Sequence, residues 1–181
     1  MAVNPAEDIV NVWLQENCRY FTRQNINVRK RTRVINGKKV GGGRGKEIDI
    51  LGMDISGKKI WVEVTVSPHP YLAKKEEQVN KMVEKVEKVF NKEKAEEVKR
   101  IFGTNKFHKM FVYSKKVFSG ETDKKEKQFS ERVKGLGVEA IEFEKVLNET
   151  IENLNYYSVD PTRIFLYYAK SYLQPKSTSK R

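Results

Sequence analysis

The chain has 181 residues, of which 38% are hydrophobic, so it is long enough to bury one hydrophobic core without disulfides. Its 36 lysines and arginines against 24 aspartates and glutamates give a net charge of +12, which favours an anionic partner such as nucleic acid. A single cysteine excludes a disulfide framework and a cysteine-rich zinc site. We expect no membrane span and no signal peptide, and therefore a cytoplasmic location.

Hydrophobic periodicity and turn residues divide the chain into alternating elements. In chain order, these are a helix of about four turns that begins at Pro5, strands over 20–35, 47–54 and 58–66, a long helix over 74–102, a strand over 107–114, a helix over 121–134, a strand over 138–143, and helices over 144–154 and 160–173. Three successive strands followed by strand–helix alternation predict an α/β domain with a mixed sheet flanked by helices. We expect one domain over 1–174 and a disordered basic tail over 175–181.

The positive charge is concentrated between Glu16 and Glu47, where ten lysines and arginines occur and no acidic residue. Eight of these cations are the predicted nucleic-acid contacts: Arg29, Lys30, Arg31, Arg33, Lys38, Lys39, Arg44 and Lys46. A solubilising surface normally mixes both signs, so the one-sided composition favours phosphate binding. A solvated face and an acidic protein partner are the alternatives.

Acidic and aliphatic residues alternate on the two strands around residues 54–57. A type I turn with Gly57 in the left-handed position makes a three-residue hairpin loop. This register pairs Ile50 with Val62, Asp49 with Glu63, and Glu47 with Thr65. The predicted core face comprises Ile48, Ile50, Val62, Val64 and Val66.

The predicted pair of Asp49 and Glu63 has the chemistry of a divalent-cation site. Directly opposed strand residues have Cβ atoms about 4.5–5.5 Å apart, and two carboxylates at that distance repel unless a cation intervenes. Mg²⁺ prefers oxygen ligands, so Asp49, Glu63 and the carbonyl of Val64 are candidate ligands. The alternative is a polar outer face of the hairpin.

This arrangement resembles the PD-(D/E)xK nuclease superfamily. The sequence from Gly45 to Asp49, followed by Val62-Glu63-Val64, is similar to that of Holliday-junction-resolvase-like and small uncharacterised members. The resemblance implies a restriction-endonuclease-like fold with the core order helix-strand-strand-strand-helix-strand and extra C-terminal helices. It also implies hydrolysis of phosphodiester bonds in DNA with Mg²⁺ or Mn²⁺, of the structure-specific or repair and recombination type.

The resemblance also assigns roles to individual residues. Asp49 and Glu63 would bind the metal, and Glu7 from the first helix would be an outer or second-metal ligand. Glu47 would orient water, and Gln78 sits like the glutamine of RecB-type relatives. Cutting of both DNA strands usually requires two active sites, so a homodimer is also considered.

Thr65 departs from the family pattern because it stands where the catalytic lysine is expected. Threonine can form a hydrogen bond but carries no charge. We expect Lys74, one helical turn before Gln78, to replace that lysine, with Lys75 and Lys81 as weaker candidates. The alternative is a nuclease-fold protein that binds nucleic acid and cuts it slowly or not at all.

Overall fold

The computed structural model describes residues 4–28, 33–35, 38–40, 46–66, 77–154 and 160–173. These form α1 (Pro5–Glu16), β1 (Phe21–Asn27), β2 (Arg33–Ile35), β3 (Lys38–Val40), β4 (Glu47–Met53), β5 (Lys59–Thr65), α2 (Gln78–Val89), α3 (Lys92–Phe102), β6 (His108–Tyr113), a 3-10 turn (Lys115–Val117), α4 (Thr122–Gly135), β7 (Val138–Glu142), α5 (Phe143–Asn153) and α6 (Pro161–Leu173). The predicted tail over 175–181 lies outside the described residues. None of the helices described is long and apolar enough to cross a membrane.

The main sheet has the strand order β1-β4-β5-β6-β7 and confirms the predicted α/β class with a mixed sheet. The β1, β4 and β5 strands are antiparallel neighbours, whereas β5, β6 and β7 run parallel. The single strand predicted over 20–35 is wrong, because β2 leaves the sheet and pairs with β3 in a separate hairpin.

Helices cover both faces of the sheet, as predicted. On one face, α1 and α5 pack Leu14 and Val146 against strand residues such as Ile50 and Val62. On the other face, α2, α3 and α4 cover a core that includes the ring of Trp61. The sheet therefore separates two hydrophobic layers, and a strand residue belongs to one layer or the other.

The single long helix predicted over 74–102 is wrong, because α2 ends at Val89 and α3 starts at Lys92. The Phe90 ring packs edge-on against Trp61, with ring centroids 4.8 Å apart. Asn91 then takes an extended backbone, and its side-chain oxygen accepts a hydrogen bond from the amide of Lys94 at 3.1 Å. Asparagine is a preferred N-cap, so this residue starts a new helix within a continuous helical pattern.

The β4–β5 turn forms as predicted. The Asp54 amide donates to the Lys58 carbonyl at 3.0 Å, and Gly57 has a φ of 82°. The register places Ile50 opposite Val62, which confirms the three-residue loop. Gly57 supplies the left-handed conformation at no steric penalty.

The predicted core face is wrong at Ile48, which packs with Leu51 and Trp61 below α3, whereas Ile50 packs on the α1 side. Strict alternation would put Ile48 and Ile50 on the same face. The strand therefore changes face at Asp49, between the paired positions Gln24–Ile50 and Ile26–Ile48, the same interval of the β1–β4 ladder that contains Asn25. Asn25 has a φ of 54°, a left-handed conformation inside a strand.

The left-handed backbone of Asn25 gives a prediction about the stability of the protein. Asn25→Gly should leave the free energy of unfolding unchanged or raise it by up to ~1 kcal/mol, because glycine adopts positive φ without a Cβ clash. Asn25→Val should lower it by ~1–2 kcal/mol or more, because a β-branched side chain is strained there. Urea denaturation measures both, with exposed Asn27→Val on the same strand as the control. Equal stability of the two valine variants would contradict the strained backbone.

Candidate functional site

Asp49 lies where β4 and β5 separate. The ladder between these strands runs from Met53 opposite Lys59 to Ile50 opposite Val62, so the predicted pairings of Asp49 with Glu63 and of Glu47 with Thr65 are not part of it. The Val64 amide instead donates to Oδ2 of Asp49 at 2.7 Å. The Asp49 side chain thus provides the hydrogen-bond acceptor for the Val64 amide in place of a main-chain carbonyl of β4.

Glu63 is buried and holds an ion pair with a lysine that was not predicted. Its side chain is 1% exposed, and its Oε1 accepts a hydrogen bond from Nε1 of Trp61 at 2.7 Å. Its Oε2 accepts from Nζ of Lys94 at 2.6 Å, and Lys94 is 7% exposed. A buried charge requires such a partner, because transfer of an ion out of water is strongly unfavourable.

The structure brings the predicted carboxylates of Glu7, Glu47, Asp49 and Glu63 into one electrostatic environment. Burial raises the pKa of Glu7, and the charges of Asp49 and Glu47 raise it further. Burial also raises the pKa of Asp49, against the lowering effect of the Val64 amide and of Lys94. The carboxylates therefore destabilise each other's charged form, which a cation would relieve.

Two lysines of the helices that follow β5 supply positive charge to this environment. Burial raises the pKa of Glu63 to about 8, with a further contribution from Asp49, even though Lys94 acts in the opposite direction. Burial lowers the pKa of Lys85 on α2, and the charge of Asp49 counteracts that shift. Both ammonium groups thus act on Asp49, and neither is at the predicted position 74.

The donor set fits an open magnesium site rather than a closed one. Across the ranges that the structure describes, no group of three or more His, Cys, Asp or Glu side chains is placed to hold a metal ion. Mg²⁺ is usually bound by one or two carboxylates, with water and substrate phosphate as its other ligands. Asp49 and Glu7 fit that chemistry, because they are mutually repelling hard oxygen donors. The roles of Glu63 and the Val64 carbonyl as ligands stay predictions.

The remaining predicted catalytic residues are dispersed. Thr65 ends β5 and is half-buried. Gln78 is buried, and its side chain bonds both the amide and the hydroxyl of Ser119 and accepts from Lys125. These bonds join α2 to the segment that precedes α4. Lys74 lies outside the described residues.

The predicted nucleic-acid contacts lie mostly beyond the side chains that the structure describes. The residues outside the described ranges are Arg29, Lys30, Arg31 and Arg44. Arg33, Lys38 and Lys39 belong to the β2–β3 hairpin. Lys46 is exposed, precedes β4 directly, and forms an ion pair with Glu93 in the first turn of α3. The basic segment therefore ends directly before Glu47, the first residue of β4.

No protein-family model, curated protein sequence or solved structure matches this chain. Its function must therefore be argued from the site itself.

Lys94 was missed because nothing distinguishes it by sequence from the other lysines in a lysine- and glutamate-rich helix. The one available signal was Asn91, a good N-cap residue inside the predicted long helix. A helix start at that position places Lys94 in the first turn and turns it toward the sheet.

The raised pKa of Glu63 predicts a pH-dependent stability. Because the folded-state pKa of about 8 lies above the ordinary value of 4.5, Glu63 contributes stability below pH 4.5 and loses that contribution as the pH rises toward 8. The free energy of unfolding of the wild type should therefore fall more steeply between pH 5 and 8.5 than that of Glu63→Gln. Urea denaturation across this range measures the two slopes. Exposed Glu131→Gln is the control, and a Glu63→Gln slope equal to the wild-type slope would refute the assignment.

Proposed function

We propose that this protein is a Mg²⁺-dependent nuclease of the PD-(D/E)xK type that hydrolyses phosphodiester bonds in DNA. The proposal is carried by one observation, the buried ammonium of Lys94 at 2.6 Å from the Glu63 carboxylate, whose charge also acts on Asp49. In this proposal Lys94 supplies the positive charge that Thr65 lacks. A homodimer remains part of the prediction for cutting of both strands.

A purely structural role accounts poorly for this group of side chains. Replacement of a buried ion pair by well-packed hydrophobic residues is often neutral or stabilising, so stability alone does not explain the Glu63–Lys94 pair. Asp49 and Glu7 add two further carboxyl groups with raised pKa values at the same place. Clusters of perturbed titratable groups occur preferentially at functional sites.

The order of the elements around the site supports a restriction-endonuclease-like arrangement. Glu7 comes from α1, Asp49 from β4 and Glu63 from β5, after which α2, α3 and the parallel strand β6 follow. Together with β1, which precedes β4 in the main sheet, this is the order helix, strand, strand, strand, helix, strand that the resemblance implies. The additional strand β1 completes the three-stranded antiparallel part of the sheet.

The site residues have separate roles in the proposed reaction. Asp49 and Glu7 would hold Mg²⁺, which when bound lowers the pKa of water and stabilises negative charge on phosphate. Lys94 fixes one oxygen of Glu63 and Trp61 fixes the other, so this carboxylate is held in one orientation. The ammonium of Lys94 also places a positive charge in a buried environment, where it attracts phosphate more strongly than in water. Glu47, on the strand that carries Asp49, would orient water.

A second candidate function is DNA binding without cleavage. It is favoured by the Glu63 carboxylate, because both of its oxygens already accept hydrogen bonds from the protein. In that case the ion pair closes the site, and Thr65 marks a lost activity. Measurements of metal binding and of DNA cleavage distinguish the two candidate functions.

The role of Lys94 gives a prediction for cleavage. Lys94→Met should reduce Mn²⁺-dependent cleavage of a plasmid by ~10²-fold or more, because a positioned charge is lost. DNA binding in EDTA should stay close to the wild-type affinity. The matched control is Lys99→Met, which removes an exposed lysine of the same helix α3 and should leave cleavage unchanged.

Folding of the Lys94 variant must be checked separately, because Lys94→Met leaves Glu63 buried without its ion-pair partner. The double variant Glu63→Gln with Lys94→Met removes both charges and should unfold cooperatively. An active wild type that retains its cleavage rate in Lys94→Met would refute the role of Lys94. A wild type that binds DNA but never cuts it would favour the second candidate.

Metal binding gives a separate prediction. Calorimetric titration with Mn²⁺ should produce binding heat for the wild type and little heat for Asp49→Asn, which keeps the shape of the side chain and removes its charge. Exposed Asp123→Asn at the start of α4 should bind like the wild type. Equal binding heats for the wild type and Asp49→Asn would contradict a metal site at Asp49.

A further inference from the structure

A basic hollow of about 670 Å³ lies at the end of β5 remote from Glu63. We call it the turn-end hollow, and the residues that define it are Lys58, Lys59, Phe102, Lys106 and Phe107. It lies between the β4–β5 turn and the segment that joins α3 to β6. Its volume falls within the roughly 300–1,000 Å³ of typical ligand sites.

The turn-end hollow has a strong positive charge. It is lined by three lysines, and no ion pair to any of them and no lining carboxylate occurs in the described part of the chain. The neighbouring Asp54 carboxylate accepts hydrogen bonds from Ser56 and from the Lys58 amide, and it also attracts the charge of Lys58, so it offsets part of the positive charge. The C-terminus of α3 contributes only about half a negative charge, which three ammonium groups exceed.

Aromatic rings accompany these lysines. Phe102 and Phe107 line the hollow and are only half-buried, and their ring centroids lie 6.4 Å apart. Phe107 also contacts Trp61, with centroids 5.9 Å apart, so its ring is anchored in the core. Lysines that hold phosphates beside aromatic rings that stack on bases are typical of single-strand binding surfaces.

The sheet surface next to the hollow also combines exposed apolar side chains with a lysine. Phe21, Met53 and Lys59 are successive partners across β1, β4 and β5, so their side chains share one face. Phe21 is 74% exposed and Met53 is 43% exposed. Exposed apolar groups beside cations thus continue from the hollow toward the β1 edge of the sheet.

We propose that the turn-end hollow binds a single-stranded segment of nucleic acid. Lys59 precedes Glu63 by four residues, which corresponds to about 13 Å along β5. The hollow and Glu63 are thus separated by no more than the length of a short single-stranded segment. The substrate class that follows is DNA with a single-stranded tail beside a duplex, and this part of the inference rests on the proposed nuclease function.

The test measures binding in EDTA, so that it does not depend on cleavage. The probes are a blunt hairpin duplex and the same duplex with an oligothymidine tail. The tail should raise the wild-type affinity at least ~10-fold, the equivalent of stacking one or two bases. The triple variant Lys58→Gln, Lys59→Gln and Lys106→Gln should remove this gain and leave blunt-duplex binding unchanged. It should also flatten the dependence of log affinity on log salt by ~2, at about 0.7 per lost phosphate contact.

The control variant replaces three other exposed lysines by glutamine, at Lys116, Lys124 and Lys127. It removes the same total charge as the triple variant. It should retain the gain from the tail. An equal loss in the control variant would show a general charge effect and overturn the proposal, as would an unchanged gain in the triple variant. Competition by polyglutamate equal to that by oligothymidine would identify an acidic protein partner instead.

The outcomes also separate this inference from the nuclease function. If the tail raises the affinity of a wild type that never cuts DNA, and the triple variant loses this gain, the result would support the hollow and contradict the nuclease. Cleavage of blunt and tailed duplexes at equal rates, with no tail-dependent affinity, would support the nuclease and overturn the hollow.

Discussion

The ion pair between Glu63 and Lys94 is the interaction on which the rest of the site depends. Its two members lie 31 residues apart, on β5 and on α3, so the pair forms only if α3 begins where it does. Asn91 sets that start, and Phe90 fixes the preceding break against Trp61. Trp61 in turn donates to Glu63, so a single ring supports both the helix break and the carboxylate. The packing of Phe90 on Trp61 and the ion pair of Glu63 with Lys94 therefore favour the same position of α3 against β5.

Asp49 connects this pair to the opposite layer of the protein. It lies at the point where the strand changes face. Its charge raises the pKa of Glu7 on α1, and the charge of Lys94 on α3 counteracts the raised pKa of Asp49 itself. A regular strand would give Asp49 access to one layer only. The left-handed Asn25 lies in the same interval of the β1–β4 ladder and is part of this irregularity.

The sequence was informative where a local rule determines the structure. Gly57 and the Asp54–Lys58 closure gave the correct turn, and the pairing of Ile50 with Val62 followed from it. Alternation then failed at Ile48, because periodicity assumes a regular strand and carries no signal for a kink. Lys94 was unpredictable for a different reason: its burial depends on a helix break that tertiary packing of Phe90 stabilises. The grouping of Glu7, Glu47, Asp49 and Glu63 was predicted, whereas the buried lysine that pairs with Glu63 was not. The predicted Lys74 lies outside the described residues and stays a prediction.

The hydrogen bond from the Val64 amide to Asp49 has a consequence for hydrogen exchange. Most amides inside a sheet are protected by a neighbouring main chain, and they exchange when the strands open. The Val64 amide is held by a carboxylate, so its protection follows the charge and position of that side chain. This one main-chain proton therefore acts as an internal reporter of Asp49. Its exchange rate should respond to any ligand that draws the carboxylate away from β5, even when the fold stays closed.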